Sequence, residues 1–425
     1  MARREKLKVL HVLNDLRGGA TMSALALMRA GKGLNSTIQH YVIYPGPFGR
    51  RHPSLDGVAE DYSAAPITTW QQQKRRTTRG WMRWIKGELG SGFGFRSRRT
   101  LSKLIGDWGI DVVHTNTAII ADGARVAMKL GLPHVWHIRE RVGINGFMQF
   151  RLSDQALARL IADHSTAIPV ISRYVQEFFE IHGQADKTEL VHDGTDLLTT
   201  GDPQVNQRGI ELRRRWGIPE GAVVVGMVGG LKTRVKRHDL FVESASDVAR
   251  IHPETFFLIV GSFPVASERR KGTWASRMLD LAARSGLNER LVFTGHQDDM
   301  PAVWSAIDIY VHLCAVEGFS RAILEAMATG KSVVAVDGGG NPEAISNEDT
   351  GLLIPTEEEP QACISALSRL ISSPELRRRL GTRAVDEAEN KYSVETHYRV
   401  MEKIFVEAAR ETVQLESSDH AANTA

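Results

Sequence analysis

The sequence predicts an α/β protein built from two doubly wound domains, each with a parallel sheet covered by helices. The chain has 425 residues, which exceeds what one hydrophobic core usually serves. Short apolar strands alternate with helical segments, as they do in parallel sheets with helices on both faces. The alternation stops at a polar stretch, residues 199–210, and then begins again. We therefore expect two domains that face each other across a cleft.

The first domain is expected to span residues 1–198. It opens with a strand, a turn at Gly18-Gly19, a helix and a second strand, which is a βαβ pattern. The same alternation then continues to the end of the domain. The predicted strands lie at 8–14, 38–44, 111–116, 134–139 and 167–171.

The second domain is expected to span residues 199–392. After its last strand the sequence is helical, and the final helix, 393–413, is expected to pack back towards the first domain. The polar end of the chain, 414–425, is typical of a disordered tail. The predicted strands of this domain lie at 222–228, 256–260, 291–293, 307–311 and 332–336.

Composition and charge indicate an ordinary globular protein. Hydrophobic residues make up 42% and charged residues 24% of the chain, and the net charge of +3 is too small to demand a nucleic-acid partner. The two cysteines, Cys314 and Cys363, lie far apart, which argues against a disulfide scaffold and a cysteine-based zinc site. No apolar run reaches the roughly 18 residues of a membrane-spanning helix, and the start of the chain lacks a secretory signal's apolar stretch. We expect a cytoplasmic protein.

The most informative segment runs from Glu317 to Gly330. Ser320 can cap the helix that follows, Gly330 can end it, and Gly318 allows a ligand to approach the helix N-terminus. That N-terminus offers free N–H groups and a partial positive charge, which suit a diphosphate. Glu317 in the loop and Glu325 in the helix can each accept hydrogen bonds from sugar hydroxyls. The segment therefore predicts a site for an elongated ligand that carries sugars and phosphates.

This segment resembles the Glu-(seven residues)-Glu signature of the retaining glycosyltransferases of family 4, and the resemblance covers nearly the whole chain. It implies the fold called GT-B, a nucleoside diphosphate sugar as co-substrate, no other cofactor and no metal. It also implies that Glu317 contacts the donor sugar and stabilises charge at the anomeric carbon, while Glu325 binds the ribose. The amides of Gly318, Phe319 and Ser320 are expected to line the sugar and the phosphates. The chain contains no Asp-x-Asp triplet, the metal-clamping motif of the other major glycosyltransferase fold.

A second segment, 225–239, is similar to the strand and loop that end in the family's phosphate-binding lysine, here Lys236. As a compact positive charge, this lysine can stabilise a departing diphosphate. The family usually places an arginine where this chain has Gly230, and Arg234 or Arg237 can replace the missing guanidinium. We include Arg237 with Lys236 among the expected donor-binding residues.

Two glycine-containing turns complete the expected donor site. Gly18 and Gly19 follow the first strand, where the family brings backbone amides up to the donor phosphates, and we expect Gly19 to do so here. The run 337–343 allows close backbone approach to a ligand, and its Glu343 resembles the residue that closes the family's donor loop. A tight turn without a ligand is the alternative for this run.

Polar residues at strand ends of the first domain are the expected acceptor site. His114 and Asn116 end a strand at the edge where open α/β sheets bind ligands. The family places a catalytic or sugar-binding histidine here, which we expect to be His114, although a buried structural histidine is the alternative. His137 and Arg139 lie in a segment similar to one in members that assemble bacterial polysaccharides. Asn116, His137 and Arg139 are therefore expected to bind the acceptor, with a surface ion-pair network as the alternative for Arg139.

A basic stretch, 74–99, holds nine lysines and arginines against one glutamate, with two tryptophans between them. Such a stretch suits the headgroup layer of an anionic membrane. It predicts peripheral attachment to the inner face of the membrane, which would bring a lipid-linked acceptor to the site. A solvated loop is the alternative, since charge runs are commonly just that.

The function that these features predict is a retaining, metal-independent glycosyltransferase. It would move a sugar from a nucleoside diphosphate sugar to a glycan, lipid-linked or small-molecule acceptor. Because Gly230 stands where an arginine is expected, a nucleotide-sugar-binding protein with weakened turnover is an alternative. A sugar-nucleotide epimerase on the same fold is another. A dinucleotide oxidoreductase is disfavoured, because the glycines at 226–230 do not have the spacing of that phosphate-binding turn.

Overall fold

The chain forms two compact units in this computed structural model. Unit 1 comprises Met1–Gly194 and Val394–Ala425, and unit 2 comprises Thr195–Ser393. The junction precedes the polar stretch at which the sequence placed it, because most of that stretch forms a helix. Asp202 caps this helix by accepting hydrogen bonds from the amides of Gln204 and Val205. The structure describes residues 6–16, 18–67, 69–70, 91–143, 148, 150, 152–196, 201–231, 234–262, 273–356 and 360–423.

Unit 1 is built on parallel strands alternating with helices. In chain order these are β1 Leu7–Val12, α1 Gly19–Gly33, β2 Ile38–Pro45, β3 Asp61–Ala65, α2 Ser91–Trp108, β4 Val112–Thr115, α3 Asp122–Leu130, β5 His134–Trp136, α4 Asp154–Asp163, β6 Ile168–Val170, α5 Arg173–Ile181 and β7 Thr188–Leu190. The main sheet has the order β3-β2-β1-β4-β5, and β6 pairs with β7. Isolated bridges from Val135 to Ala167 and from Ile138 to Val170 connect β5 with β6. The carboxyl ends of β1 and β4 therefore lie side by side.

Unit 2 repeats this design with a six-stranded parallel sheet. Its elements are α6 Pro203–Arg215, β8 Val224–Val228, α7 His238–Ile251, β9 Phe256–Val260, α8 Trp274–Arg284, β10 Leu291–Gly295, α9 Met300–Ala306, β11 Ile309–His312, α10 Arg321–Ala328, β12 Ser332–Val336, α11 Asn341–Ala344, β13 Leu352–Ile354, α12 Gln361–Ser372 and α13 Pro374–Lys391. The strand order is β10-β9-β8-β11-β12-β13. Because order reverses between β8 and β11, their carboxyl ends form the switch point at which such sheets bind ligands.

The last helix, α14 Val394–Asn423, returns to unit 1. Its side chains Tyr398, Met401 and Phe405 are fully buried in a cluster that also contains Val9 of β1 and Leu27 of α1. The helix continues through Asn423, whereas the sequence predicted a disordered tail from residue 414. Leu, Glu, Gln and Ala favour helix, and adding residues to a helix that is already formed is far easier than starting one.

Membrane attachment was predicted from the basic stretch 74–99. Residues 74–90 of that stretch lie outside the described residues, so the attachment stays a prediction. Among the residues that the structure describes, no helix is long and apolar enough to span a bilayer.

Candidate functional site

The Glu317-to-Gly330 segment lies at the switch point of unit 2, between the end of β11 and the end of α10. Ser320 occupies the N-cap position of α10, but its side chain makes no capping hydrogen bond and instead bonds to the Tyr310 side chain. Gly330 follows the helix with a φ of 69°, in the left-handed region that glycine favours. Both predicted ends of the helix are therefore confirmed, although the capping hydroxyl is used elsewhere. The first amides of α10 have no partner within a helix, and they follow the carboxyl end of β11 by only a few residues.

Glu317 and Lys236 form an ion pair at this point. The Lys236 ammonium, in a short turn before α7, donates a hydrogen bond to Oε2 of Glu317. Burial raises the pKa of Glu317, but Lys236 and His312 more than offset this effect, so the pKa is lowered and the group is a carboxylate. The side chains of Lys236 and Glu317 are 30% and 28% exposed. A ligand can therefore reach both charges.

Two further side chains adjoin Glu317. His312 Nε2 lies 3.8 Å from Glu317 Oε2, and the Cys314 thiol hydrogen-bonds to the same carboxylate. Burial and the nearby Glu317 charge raise the pKa of Cys314 to about 12, so the thiol is protonated. Donor atoms of these three residues all lie within 4.8 Å of one another. The separation of Cys314 from Cys363 along the chain did not indicate this mixed cluster.

Glu325, the second carboxylate of the motif, is oriented by two donors. Arg321 Nε donates to one oxygen at 2.7 Å, and Trp304 Nε1 donates to the other at 3.1 Å. Each carboxylate oxygen can accept a second hydrogen bond, so both remain able to bind a hydroxyl. Arg321 also reaches Asp196 Oδ1 at 3.4 Å. Sequence reasoning missed Arg321, although its position four residues before Glu325 on a helix was a usable signal.

The glycine-rich run after β12 fixes the backbone of Glu317. The amide of Gly340 donates to the Glu317 carbonyl oxygen at 2.9 Å. Gly339 has a φ of 61°, and a Cβ atom there would lie 2.5 Å from that same oxygen. Asn341 Nδ2 bonds to the carbonyl of Cys314 at 3.0 Å. Close approach of these glycines to a ligand stays a prediction. The structure shows their close approach to the loop that carries Glu317.

Replacing Gly339 by alanine is expected to destabilise unit 2 by about 1–3 kcal/mol and to disturb Glu317. The new Cβ meets the Glu317 carbonyl oxygen and must hold a left-handed φ. Urea unfolding and ligand affinity measure the two effects. Gly217→Ala is a suitable control. Its φ of 72° gives similar backbone strain, but no described atom lies within 4 Å of the added Cβ atom. If both variants lose affinity equally, the Gly339 contact does not position Glu317.

The arginines proposed to replace the missing guanidinium are both engaged. Arg234 lies over the Trp274 ring, 5.1 Å from its centroid. Arg237 precedes α7 with a φ of 55°, and its Nε lies 3.5 Å from Asp239 Oδ1. At Gly230 a Cβ atom would lie 2.9 Å from Ser262 Oγ. Among the described lysines and arginines, Lys236 is the one paired directly with the Glu317 carboxylate.

In unit 1 the turn after β1 is organised by Asp15, which sequence reasoning missed. Its carboxylate accepts hydrogen bonds from the Gly18 amide at 2.7 Å and from Thr21 Oγ1 at 3.1 Å. A Cβ atom at Gly18 would lie 2.6 Å from this carboxylate, whereas one at Gly19 would meet no described atom within 4 Å. Asn116 Nδ2 donates to the Ala20 carbonyl at 2.7 Å. Asn116 thus ties the end of β4 to the start of α1.

His114 belongs to a chain of three buried histidines. Its Nδ1 lies 2.8 Å from His11 Nδ1, and His11 Nε2 lies 2.9 Å from His40 Nδ1. Burial lowers the pKa of all three, so they are neutral near pH 7. Each ring therefore carries one N–H. The two hydrogen bonds that link the three rings can point in either direction, and both change direction together. His114 Nε2 makes no hydrogen bond within the described part of the chain, so its role as donor or acceptor follows from the tautomer of His11.

The other two predicted acceptor residues differ in their surroundings. The His137 ring centroid lies 5.8 Å from that of His114, and its Nε2 has no hydrogen-bond partner among the described residues. Arg139 is instead held in a buried ion pair with Asp193, which also accepts a hydrogen bond from Ser23 at 3.1 Å. The surface network considered for Arg139 is thus a buried one. Arg139 therefore holds Asp193, the residue before the last one of the first segment of unit 1.

Acid is expected to destabilise unit 1 below about pH 6.5. Below this pH the histidines of the unfolded chain bind protons, whereas the buried histidines of the folded state stay neutral. Their contribution to stability is therefore constant above this pH and falls below it. Each buried histidine contributes up to about 1.4 kcal/mol per pH unit. The window extends to the folded pKa, about 4 for His40 and about 3 for His134. The buried histidines with lowered pKa values are His11, His40, His114, His134 and His137.

Urea unfolding at pH 7.5 and pH 5.5 measures this effect. A His40→Gln variant keeps a polar group beside His11 but removes one titrating ring, so we expect a smaller loss of stability between the two pH values. A loss equal to that of the unmodified protein would contradict the assignment of His40 as a buried neutral histidine.

Family profiles match both parts of the chain. The profile described as Glycosyltransferase Family 4 matches residues 17–197, and the one described as Glycosyl transferases group 1 matches residues 210–386. The first range lies almost wholly in unit 1 and the second lies in unit 2.

Curated relatives match over part of their length. Spore coat protein SA of Bacillus subtilis is 27% identical over 246 residues, covering 56% of this chain and 64% of the relative. D-inositol 3-phosphate glycosyltransferase of Corynebacterium efficiens is 29% identical over 210 residues, covering 48% of this chain and 47% of the relative. The chain thus spans about half to two thirds of the length of these relatives.

Solved structures share the fold. HepE of Anabaena, crystallised with UDP, aligns with a TM-score of 0.73 at 18% identity, covering 94% of this chain and 100% of HepE. Sucrose-phosphate synthase of Thermosynechococcus elongatus aligns with a TM-score of 0.70 at 17% identity, covering 94% and 98%. The fold is GT-B, with two Rossmann-like domains, as predicted. The two matching profiles and the motif from Glu317 to Glu325 then identify the chain itself: it belongs to glycosyltransferase family 4.

Proposed function

We propose that this protein is a retaining glycosyltransferase that moves a sugar from a nucleoside diphosphate sugar to a glycan, lipid-linked or small-molecule acceptor. The observation that carries the proposal is the ion pair between Lys236 and Glu317 beside the start of α10. It brings a cation and a carboxylate to one place. Such a pair suits a reaction in which the leaving group becomes negative while the anomeric carbon becomes positive.

In the proposed reaction an acceptor hydroxyl forms a bond to the anomeric carbon as the bond from that carbon to the diphosphate breaks. The bonding electrons leave with the diphosphate, whose charge is stabilised by Lys236 and by the amides of Gly318, Phe319 and Ser320 at the start of α10. The hydroxyl proton passes to the departing phosphate oxygen. Because the acceptor attacks from the face that the diphosphate leaves, the configuration is retained.

Charge stabilisation in this proposal comes from the protein, without a catalytic metal. Glu317 faces the anomeric carbon, and Lys236 moves from Glu317 towards the diphosphate when the donor binds. Glu325 accepts hydrogen bonds from the ribose on the oxygens that Arg321 and Trp304 orient. Unit 2 is thus the donor-binding domain.

The other substrate is assigned to unit 1. We place the acceptor hydroxyl against His114 and His137, because each has a buried Nε2 without a hydrogen-bond partner in the described part of the chain. Asn116 and Arg139 support this surface by fixing the turn at Ala20 and the position of Asp193. The resemblance of the segment with His137 to polysaccharide-assembling enzymes favours a glycan acceptor in polysaccharide biosynthesis.

The relatives indicate which donors to test first. HepE was crystallised with UDP-glucose, and TarM of Staphylococcus aureus was crystallised with UDP. The relative from Mycobacterium tuberculosis, 27% identical over 282 residues, is described as a GDP-mannose-dependent alpha-mannosyltransferase. The first panel therefore consists of uridine and guanosine diphosphates and their sugars, and adenosine diphosphate and its sugars extend it.

Thermal unfolding of the full chain with this panel tests the donor site. A ligand present at 100 times its Kd stabilises the folded state by about 2.7 kcal/mol, so one nucleoside diphosphate is expected to raise the Tm selectively. Glu325→Gln is expected to weaken this effect, because an amide accepts fewer hydrogen bonds from a ribose than a carboxylate does. Glu348→Gln is the matched control, since Glu348 is also paired with an arginine, Arg369, on the exposed surface.

Each outcome decides between the interpretations. Stabilisation by the nucleoside diphosphate of one base supports the donor site if it is lost in Glu325→Gln and kept in Glu348→Gln. Transfer of the sugar with retained configuration then supports the enzyme, whereas binding without transfer or donor hydrolysis favours the binding protein suggested by Gly230. A changed free nucleotide sugar without an acceptor would indicate an epimerase. If no member of the panel stabilises the protein, the proposed donor site is contradicted.

A further inference from the structure

We propose that His312, Cys314 and Glu317 form a binding site for a thiophilic divalent cation such as Zn²⁺, and that this cation inhibits sugar transfer by occupying the carboxylate of Glu317 in place of Lys236. The inhibition rests on the proposed function, whereas the binding of the cation does not. The three donor atoms lie within 4.8 Å of one another. An imidazole, a thiolate and a carboxylate are all established ligands of zinc.

The backbone holds these three residues in place without the metal. His312 is the last residue of β11 and pairs with Ala335 of the neighbouring strand β12. Asn341 bonds to the carbonyl of Cys314, and the Gly340 amide bonds to the carbonyl of Glu317. The ligands therefore come from one short segment whose backbone is anchored by the glycine-rich run. A site of this kind needs little rearrangement to bind an ion.

The His312 side chain points into the site with a nitrogen that has no hydrogen-bond partner among the described residues. This atom, Nε2, belongs to a side chain that is only 3% exposed, and it lies 3.8 Å from Glu317 Oε2. On the other side of the ring, Nδ1 lies 3.0 Å from the Tyr310 hydroxyl. If Nδ1–H donates to Tyr310, Nε2 carries the lone pair that a metal needs. A partner that fixes the ring in this way is typical of metal-binding histidines.

The site is open to solvent on the side of the ion pair. Glu317 and Lys236 are 28% and 30% exposed, so an ion has a path of entry and a coordination position remains for water. Three protein ligands with one open position are typical of zinc sites that exchange a ligand. On binding, the Cys314 thiol loses its proton to solvent and the sulfur becomes a ligand.

Lys236 is the competitor for this cation. Its ammonium donates to Glu317 Oε2, one of the candidate ligand atoms, and two cations cannot share that position without strong repulsion. The lysine therefore lowers the affinity for the metal, and the metal in turn separates Lys236 from Glu317. Because the donor sugar needs the Glu317 carboxylate, an ion bound to that carboxylate prevents productive donor binding. The position of Lys236 thus links the metal site to the candidate active site.

Cobalt(II) is a suitable probe, because a thiolate ligand gives it a strong charge-transfer absorption. Full-length protein is freed of metals with a chelator and titrated with Co²⁺ and then with Zn²⁺, without donor or acceptor. We expect one equivalent of Co²⁺ to produce the absorption and Zn²⁺ to remove it. Cys314→Ala should abolish it, whereas Cys363→Ala should keep it, since Cys363 is the buried cysteine of α12 in the same unit. Lys236→Met should tighten Co²⁺ binding about tenfold.

Outcomes separate this proposal from the proposed function. Absence of the absorption in both the unmodified protein and Lys236→Met, or its persistence in Cys314→Ala, would overturn the metal site. In transfer assays Zn²⁺ should inhibit the unmodified protein reversibly, and the same concentration should inhibit Cys314→Ala less. Equal inhibition of the two would overturn the link to Lys236. A protein that binds Co²⁺ through Cys314 but transfers no sugar supports the metal site and contradicts the proposed function.

Discussion

Replacing Glu317 by glutamine is expected to lower kcat/KM for sugar transfer by about 10²–10³-fold, the usual cost of losing one electrostatic contact to a transition state. The substitution keeps the shape of the side chain but removes the charge that would stabilise the anomeric carbon. It also leaves Lys236 without its carboxylate. Because both side chains are partly exposed, the free energy of unfolding should change by no more than about 1 kcal/mol. Transfer rates and urea unfolding of the same preparation measure the two effects.

Glu348→Gln is the control for the Glu317 variant. Both glutamates belong to unit 2 and both are paired with a basic side chain, but Glu348 lies outside the motif. We expect Glu348→Gln to keep the full rate. A Glu317→Gln protein that transfers sugar within about threefold of the unmodified rate would contradict a role for this charge in the reaction.

Removing α14, by ending the chain at Ser393, is expected to unfold unit 1 and to leave unit 2 folded. The helix buries Tyr398, Met401, Ile404 and Phe405 in the core of unit 1. Burial of each large apolar side chain contributes about 1.5–3 kcal/mol, and the sum is comparable with the 5–15 kcal/mol stability of a typical domain. We expect the two units of the unmodified protein to unfold in separate thermal transitions, and circular dichroism of the shortened chain should show only the transition of unit 2.

A chain that ends at Arg410 is the matched control for this deletion. It keeps every residue of α14 that the structure places in the core cluster, since the last of them is Ala408. Both thermal transitions should therefore remain. If the chain that ends at Ser393 also shows both transitions, the helix is not needed for the stability of unit 1.

The sequence was sufficient to predict the fold because strands and helices depend on local patterns. Alternation of apolar strands with helices predicted two parallel sheets, and both are present. Gly330 predicted the end of α10 because a left-handed φ favours glycine. The junction between the units was harder to predict. The polar stretch 199–210 resembles a linker, yet its Asp202 caps a helix.

Contacts between distant parts of the chain explain what the sequence could not predict. Lys236 and Glu317 were each proposed from the family motif, but their direct pairing depends on the neighbouring positions of β8 and β11 in the sheet. The hydrogen bond from Trp304 to Glu325 likewise joins two helices. His11 and His114 meet because β1 and β4 pair in register. None of these contacts has a local sequence signal.

The return of α14 to unit 1 has a consequence for the order in which the protein folds during synthesis. The ribosome makes the first part of unit 1, then all of unit 2, and only then the helix that completes the core of unit 1. At about 5–20 residues per second, unit 2 takes on the order of 10–40 s to emerge. During that time Val9 and Leu27 of the nascent first segment lack the side chains of α14 that bury them in the finished protein. Unit 2, which is one continuous segment, can complete its own core during that interval.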